Sequence, residues 1–194
     1  MSYKTDTFEK ELVFINDERV RRFVEAALET LPDYFFVIAA SSTGKYHPSY
    51  TAGDGGLTRH VRACVRIAVE LYRMEMFNYF SPLDKDLILA SLILHDGYKN
   101  GKGSSSFTVI THPIVMAEEI RTNLNFAEIL QLEEIETVAN NISVHMGQWN
   151  TDYRTKKEVL EKPSGKMQNF VHLVDYLASR KCLEMNFDVE ISKE

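Results

Sequence analysis

"LILHDGYKNGKG", residues 92–103, joins an apolar run to an imidazole and a carboxylate, then passes into a stretch rich in Gly, Lys and Ser. The run is the end of "SPLDKDLILASLILHD" (81–96). The start of that segment carries helix signals: Ser81 as N-cap, Pro82 in the first position and Asp84 three residues after the cap. Its second half is apolar on nearly every side, as in a central, buried helix. A central helix that stops at His95-Asp96, with Lys99 just beyond, raises the question of what those polar groups do there.

Outward from this segment, hydrophobic periodicity predicts a mainly α helical bundle. "NDERVRRFVEAALETLP" (16–32) places Val20, Phe23, Val24, Ala27, Leu28 and Leu31 at helical spacing, with Asn16 or Asp17 as cap and Pro32 as stop. A long helix is predicted from about Gly56 to Met76, with Leu57, His60, Cys64, Ile67 and Leu71 on one stripe. Thr111 caps "HPIVMAEEIRTNL", which has Pro113 in its first turn; "LEEIETVANNISVHMGQW" is a further helix. "SGKMQNFVHLVDYLASRKCLEM", capped by Ser164, is the last. "ELVFI" (11–15) and "FDVEI" (187–191) are candidates for a pair of strands, so β structure is at most a small two-stranded element. "DYFFVIAASSTGKYHPSYTAGDGG" is the longest irregular segment, and its aromatics argue for order.

The 194 residues suit one domain, 1–194, with a core of ordinary apolar content at 44%. No apolar run reaches the roughly 18 residues of a membrane span. "MSYKTDTFEKELVFIND" contains acids and no apolar stretch of the signal-peptide kind, so a cytoplasmic protein is expected. A formal charge of -6 disfavours a broad nucleic-acid surface but leaves room for a small phosphate-binding patch. Cys64 and Cys182 fall in helical patterns and read as two reduced, mostly buried thiols.

Of six histidines, His60, His95, His112 and His145 sit on or at the ends of separate predicted helices beside apolar positions. Asp175 shares a stripe with Val171, Ala178 and Cys182. An ionised carboxylate facing a core costs several kcal/mol or so unless it is paired or bound to metal. Asp96 and Asp175 both face inward in this reading, with few basic partners. One histidine on an apolar stripe is more often a hydrogen-bonded core residue than a ligand. Five or six such groups on different helices point instead to a divalent cation; imidazole with carboxylate suits Mn, Fe, Ni, Co or Zn.

Several local contexts go further. "GDGGLTRHV", "LILHDGYK", "THPIVMAEEI", "ISVHMGQW" and "LVDYLASR" carry His60, His95-Asp96, His112, His145 and Asp175 in that order. Together they resemble the HD superfamily of metal-dependent phosphohydrolases over about two-thirds of the chain. The approach "AASSTGKYHPSYTAGDGGL" is similar to HD domains of bacterial 3′-5′ exoribonucleases. The resemblance implies an HD-type bundle with a metal-binding core at about 55–182. It implies that His60, His95, Asp96 and Asp175 hold a first ion, and that Asp96 bridges to a second ion on His112 and His145. Asp96 and Lys99 become catalytic, with Lys99 meeting phosphate oxygens at the helix end. Two departures stand out: Gly97-Tyr98 precedes Lys99 where an apolar residue and then Gly are usual, and Met146 stands where many members have a second histidine.

Lys45, His47 and Arg180 are further candidates for phosphate contact, against ordinary loop or surface roles. Arg59 and Arg62, off the stripe, are expected in solvent. Trp149 reads as a packed residue or as a stacking platform for a base. His172 reads as structural support for the site. The expected activity is cleavage of a phosphoester or phosphoanhydride of a nucleotide-like substrate by metal-activated water. A short-substrate 3′-5′ exonuclease acting on a short oligonucleotide, and a non-catalytic nucleotide sensor, are the alternatives. The roughly 50 residues before the metal-binding region are fewer than the exoribonucleases' OB-fold domain and the first helices need, so a long nucleic-acid track is not expected.

Overall fold

The computed structural model describes residues 2–41, 44–45, 47–103 and 105–192. Its helices are α1 (Tyr3–Asp6), α2 (Glu9–Leu12), α3 (Glu18–Thr30), α4 (Gly56–Leu71), α5 (Pro82–Leu94), α6 (His112–Thr122), α7 (Leu124–Ala127), α8 (Leu132–Ser143) and α9 (Lys166–Ala178). Among the described residues there is no sheet; the β structure is an isolated bridge between Thr151 and Glu158. The chain is thus a mainly α bundle, and no described helix is long and apolar enough to cross a membrane.

Helix α5 is the centre of the bundle, packing against α3, α4, α8 and α9. It starts as its residues dictate: the Ser81 hydroxyl accepts from the Asp84 N–H, and the Asp84 carboxylate accepts from the Ser81 N–H. Every residue from Asp86 to Leu94 is buried. The polar ones have partners, as burial requires. The Asp86 carboxylate accepts the N–H groups of Asn16 and Asp17, which ties α5 to the entry of α3. The Ser91 hydroxyl donates to Leu87 O and accepts from Asn141 Nδ2 on α8.

The two predicted strands do not form. Residues Glu11 and Leu12 belong to α2, because Phe8, Leu12 and Ile15 recur at helical spacing into the core. Glu11 is buried with them and pairs with Arg62 at 3.1 Å. The 187–191 segment is held by arginine instead of a ladder. Phe187 lies under the guanidinium carbons of Arg62 and Arg66 at 5.2 and 4.9 Å, and Arg66 Nη1 donates to Val189 O at 3.0 Å. Helix boundaries also shift. The fourth helix stops at Leu71, followed by a 3-10 turn over Glu75–Phe77. The last helix is capped at Gly165, not Ser164, because the Gln168 side chain reaches back to accept the N–H groups of both. It ends at Ala178, which leaves Cys182 exposed. Thr111 does precede α6, but its side chain makes no capping bond.

Candidate metal centre

His60 lies in the second turn of α4, and the start of that helix is set by backbone contact. A Cβ on Gly56 would fall 2.0 Å from Thr51 O and 3.1 Å from Ala39 Cα, so only glycine lets those two residues lie against the helix end. Residues 37 and 38 are tied to the same helix start: Gly55 N–H donates to Val37 O and Leu57 N–H to Ile38 O, both at 2.9 Å. Arg59 donates to the carbonyls of Tyr50, Ala52 and Asp54. Arg59 and Arg62 are therefore not the solvated pair expected from the sequence. Arg59 holds residues 50–54 against the start of α4; Arg62 neutralises Glu11.

The other groups arrive at helix ends. His95 is the C-cap of α5 and Asp96 follows it, His112 opens α6, His145 comes two residues after α8, and Asp175 is in the last turn of α9. The structure brings all six together. His60 Nε2 lies 3.0 Å and His95 Nε2 3.7 Å from Asp175 Oδ1. His95 Nε2 lies 3.6 Å from Asp96 Oδ2, while His112 Nε2 and His145 Nε2 lie 2.9 and 3.8 Å from Asp96 Oδ1. All four histidines are at most 1% exposed.

Three of the rings are aimed by one device. Nδ1 of His95, His112 and His145 lies 2.7, 2.7 and 2.8 Å from the carbonyl oxygen three residues earlier. A carbonyl can only accept, so Nδ1 carries a proton and Nε2 is the atom turned to the centre, the one that a neutral ring would offer to an ion. This is how metal-ligating histidines are oriented. Nε2 of His95 and of His112 is buried without a hydrogen-bond partner. The 2.9 Å approach of His112 to Asp96 lacks the alignment of a hydrogen bond. Buried nitrogens left in this way among carboxylates fit a cation between them. Two sets of ligand atoms lie within 4.8 Å of one another: His60, Cys64, His95 and Asp175, and His95, Asp96 and His145. The cluster can hold a metal ion.

The electrostatics of the site agree. Burial alone would raise Asp96, but Lys99, His95 and His112 overcome it and hold the carboxyl well below the usual range. Asp175 is likewise held well down against its burial by His60 and His95. Burial would lower His95, yet Asp96 and Asp175 push it up. His145 is driven down to about 3 by burial and by its neighbours His95 and His112. A neutral imidazole is what ligation needs.

A cavity of about 540 Å³ opens on the cluster. His60, Asp96, His112, His145 and Asp175 reach it, together with His47, Lys99, Met146, Trp149 and Arg180. Lys99 Nζ contacts Asp96 Oδ2. The Arg180 guanidinium stacks 4.3 Å from the Tyr176 ring, and Trp149, 43% exposed, lies parallel to that ring at 5.6 Å. His47 sits edge-on to His60 at 5.9 Å, and burial, His60 and Lys99 lower it to about 4. Lys45 is exposed and away from the cavity lining. His172 supports the site: its Nδ1 bonds His145 O at 2.7 Å. Its ring packs so close to Gly147 that a Cβ there would lie 2.2 Å from Cε1.

The spacing puts Cys64 on the inner stripe of α4 and predicts no more than a packed thiol. Its position beside His60, 3.7 Å from Nε2, is a feature of the fold, signalled only by the i, i+4 spacing of the two residues. No protein-family model, curated protein or solved structure matches this chain.

Proposed function

We propose that this chain is a metal-dependent phosphohydrolase of the HD type, acting on a phosphoester or phosphoanhydride of a nucleotide-like substrate. One observation carries the reading. Six histidine and aspartate side chains from five helices meet beside a cavity that also holds an ammonium and a guanidinium. A merely structural polar cluster has no need of a cavity or of unpartnered nitrogens.

His60, His95 and Asp175 would hold one divalent ion, and Asp96 with His112 and His145 a second. Mn, Fe, Ni, Co and Zn all suit these donors. Bound there, such an ion supplies Lewis acidity toward phosphate oxygens and makes water a better nucleophile. The protein's own residues do the rest. The Nδ1 bonds to backbone keep three imidazoles aimed without rearrangement. Lys99 is the counter-ion of Asp96. Were that carboxylate to hold an ion, the Lys99 ammonium, which already lines the cavity, would be free to meet phosphate charge. Arg180 provides a second cation at the wall, and Trp149 a flat face at which a base can stack. His47, neutral near pH 7, can donate or accept a hydrogen bond over His60. The exposed Trp149 beside Arg180 also suits the terminal base of a short oligonucleotide, so a short-substrate 3′-5′ exonuclease is the second reading.

The test is a panel of nucleoside mono- and triphosphates, cyclic dinucleotides and short oligonucleotides, run with each of the five metals. Turnover in the wild type and its loss in Asp96→Asn are expected. A metal-saturated wild type inert to the whole panel would favour a nucleotide sensor over an enzyme.

A further inference from the structure

The donors that surround His60 are not limited to nitrogen and oxygen. Cys64 lies on the same inner stripe of α4, one turn after His60, and is fully buried. Its Sγ is 3.7 Å from His60 Nε2, and all four ligand atoms of His60, Cys64, His95 and Asp175 lie within 4.8 Å of one another. A second observation points to a ligand at the same place: His95 Nε2, in a side chain with no exposure, is aimed into this group without a hydrogen-bond partner.

The distances suit four-coordination. With metal–sulfur and metal–nitrogen bonds of about 2.3 and 2.05 Å, a tetrahedral ion separates S and N by roughly 3.5 Å and two N/O donors by roughly 3.4 Å. The observed S to N separation is 3.7 Å, and the two imidazole-to-Asp175 separations are 3.0 and 3.7 Å. A thiol placed only to fill the core has no reason to share a locus with two imidazoles and a carboxylate.

We infer that Cys64 is a direct sulfur ligand of the ion held by His60, His95 and Asp175, making a two-nitrogen, one-oxygen, one-sulfur site. The inference rests on the metal-binding reading above and adds a donor to it. As the sulfur–metal bond forms, the thiol proton passes to the buffer, with no oxidant or reductant involved. One soft donor biases the site toward Zn and Co and away from Mn, which favours oxygen ligands. It also keeps the thiol inside the core, where oxidants and alkylating reagents reach it only if the ion is lost and the helix opens.

The test uses the full chain, stripped with a chelator and titrated with Co. Wild type is expected to show an intense near-ultraviolet sulfur-to-cobalt charge-transfer band together with the weaker visible bands of a low-coordinate ion. Cys64→Ser and Cys64→Ala are expected to lose the ultraviolet band. Their Zn affinity should fall by at least about tenfold, while Mn affinity changes by less than about twofold, because a hard ion gains little from sulfur. If wild type binds Co with visible bands but no charge-transfer band, the metal-binding reading stands and the Cys64 assignment is overturned. If wild type takes up no Co at all, both fall. Equal Zn affinity in the wild type and both folded variants would also overturn the assignment.

Discussion

Lys99→Met separates the two jobs assigned to one ammonium. The Lys99 side chain, 13% exposed, contacts an Asp96 carboxylate that is 3% exposed. Methionine keeps the length of the stem and removes the charge. A buried ion pair that loses one partner leaves the other uncompensated, at about 3–5 kcal/mol. For a chain of this size, at about 2–4 °C per kcal/mol, the metal-free melting temperature should fall by roughly 6–20 °C. With an ion on Asp96 the carboxylate no longer needs Lys99, and the loss should shrink to about 1 kcal/mol or less, as for an exposed pair. Closing the thermodynamic cycle on a difference of about 3 kcal/mol, at about 1.4 kcal/mol per decade, the variant should bind the ion about a hundredfold more tightly than wild type. Turnover at saturating metal should nevertheless fall, on the order of ten- to a thousandfold, because the cation that meets phosphate is gone. Calorimetric unfolding and metal titration of both proteins, with and without chelator, read all three quantities. Equal destabilisation with and without metal would refute the reasoning, since it would mean that Lys99 and the ion do not share Asp96.

Metal-free stability should fall on the acid side of pH 6.5. His145 has a folded value of about 3 against an ordinary 6.5, so between these the unfolded chain binds the extra proton and stability drops as pH falls, by up to roughly 1.4 kcal/mol per pH unit. His95, raised above its ordinary value, acts oppositely: its contribution is complete below 6.5 and is lost as pH climbs through its folded value. Denaturant unfolding from pH 4 to 9 should therefore give a maximum near neutrality; stability that rises steadily on acidification would contradict it. Gly147→Ala puts a methyl into the His172 ring at a residue with φ of 58°. It should cost about 1–3 kcal/mol and weaken ion binding at His145, both visible in melts with and without metal. Trp149 is the chain's single tryptophan, so its fluorescence reports on the cavity mouth alone. Nucleotides should quench it and inorganic phosphate should not; equal responses would remove base stacking from the reading.

Much of the fold was legible because its strongest signals are local. The Ser81–Asp84 box and the apolar run to Leu94 define α5 without reference to the rest of the chain. The helical spacing of Val20, Phe23, Val24, Ala27 and Leu28 does the same for α3. The short segments were not legible, because five apolar-rich residues fit either period. Phe8, Leu12 and Ile15 pack into the core at the helical period, and that period buries Glu11 as well, whose partners Arg62 and Arg66 lie more than fifty residues away. The same long-range pairing explains why Arg62 was misplaced in solvent. For the candidate site, residue type and helix register indicated which imidazoles and carboxylates face inward. They carried no information on the carbonyl bonds that aim the rings, on the cavity, or on Cys64 as a neighbour of His60, all of which depend on how α4, α5 and α9 pack.

Anomalous diffraction from crystals of chelator-stripped protein soaked in Mn, and separately in Zn, tests the metal centre most directly. Expected are peaks inside the cluster, the first bonded at roughly 2.0–2.2 Å to His60, His95 and Asp175. A second ion, where present, should lie roughly 3.5–4 Å away on Asp96, His112 and His145. A cluster that stays free of anomalous density in both soaks, with the six side chains held by hydrogen bonds and water alone, would contradict the metal centre and the hydrolase built on it.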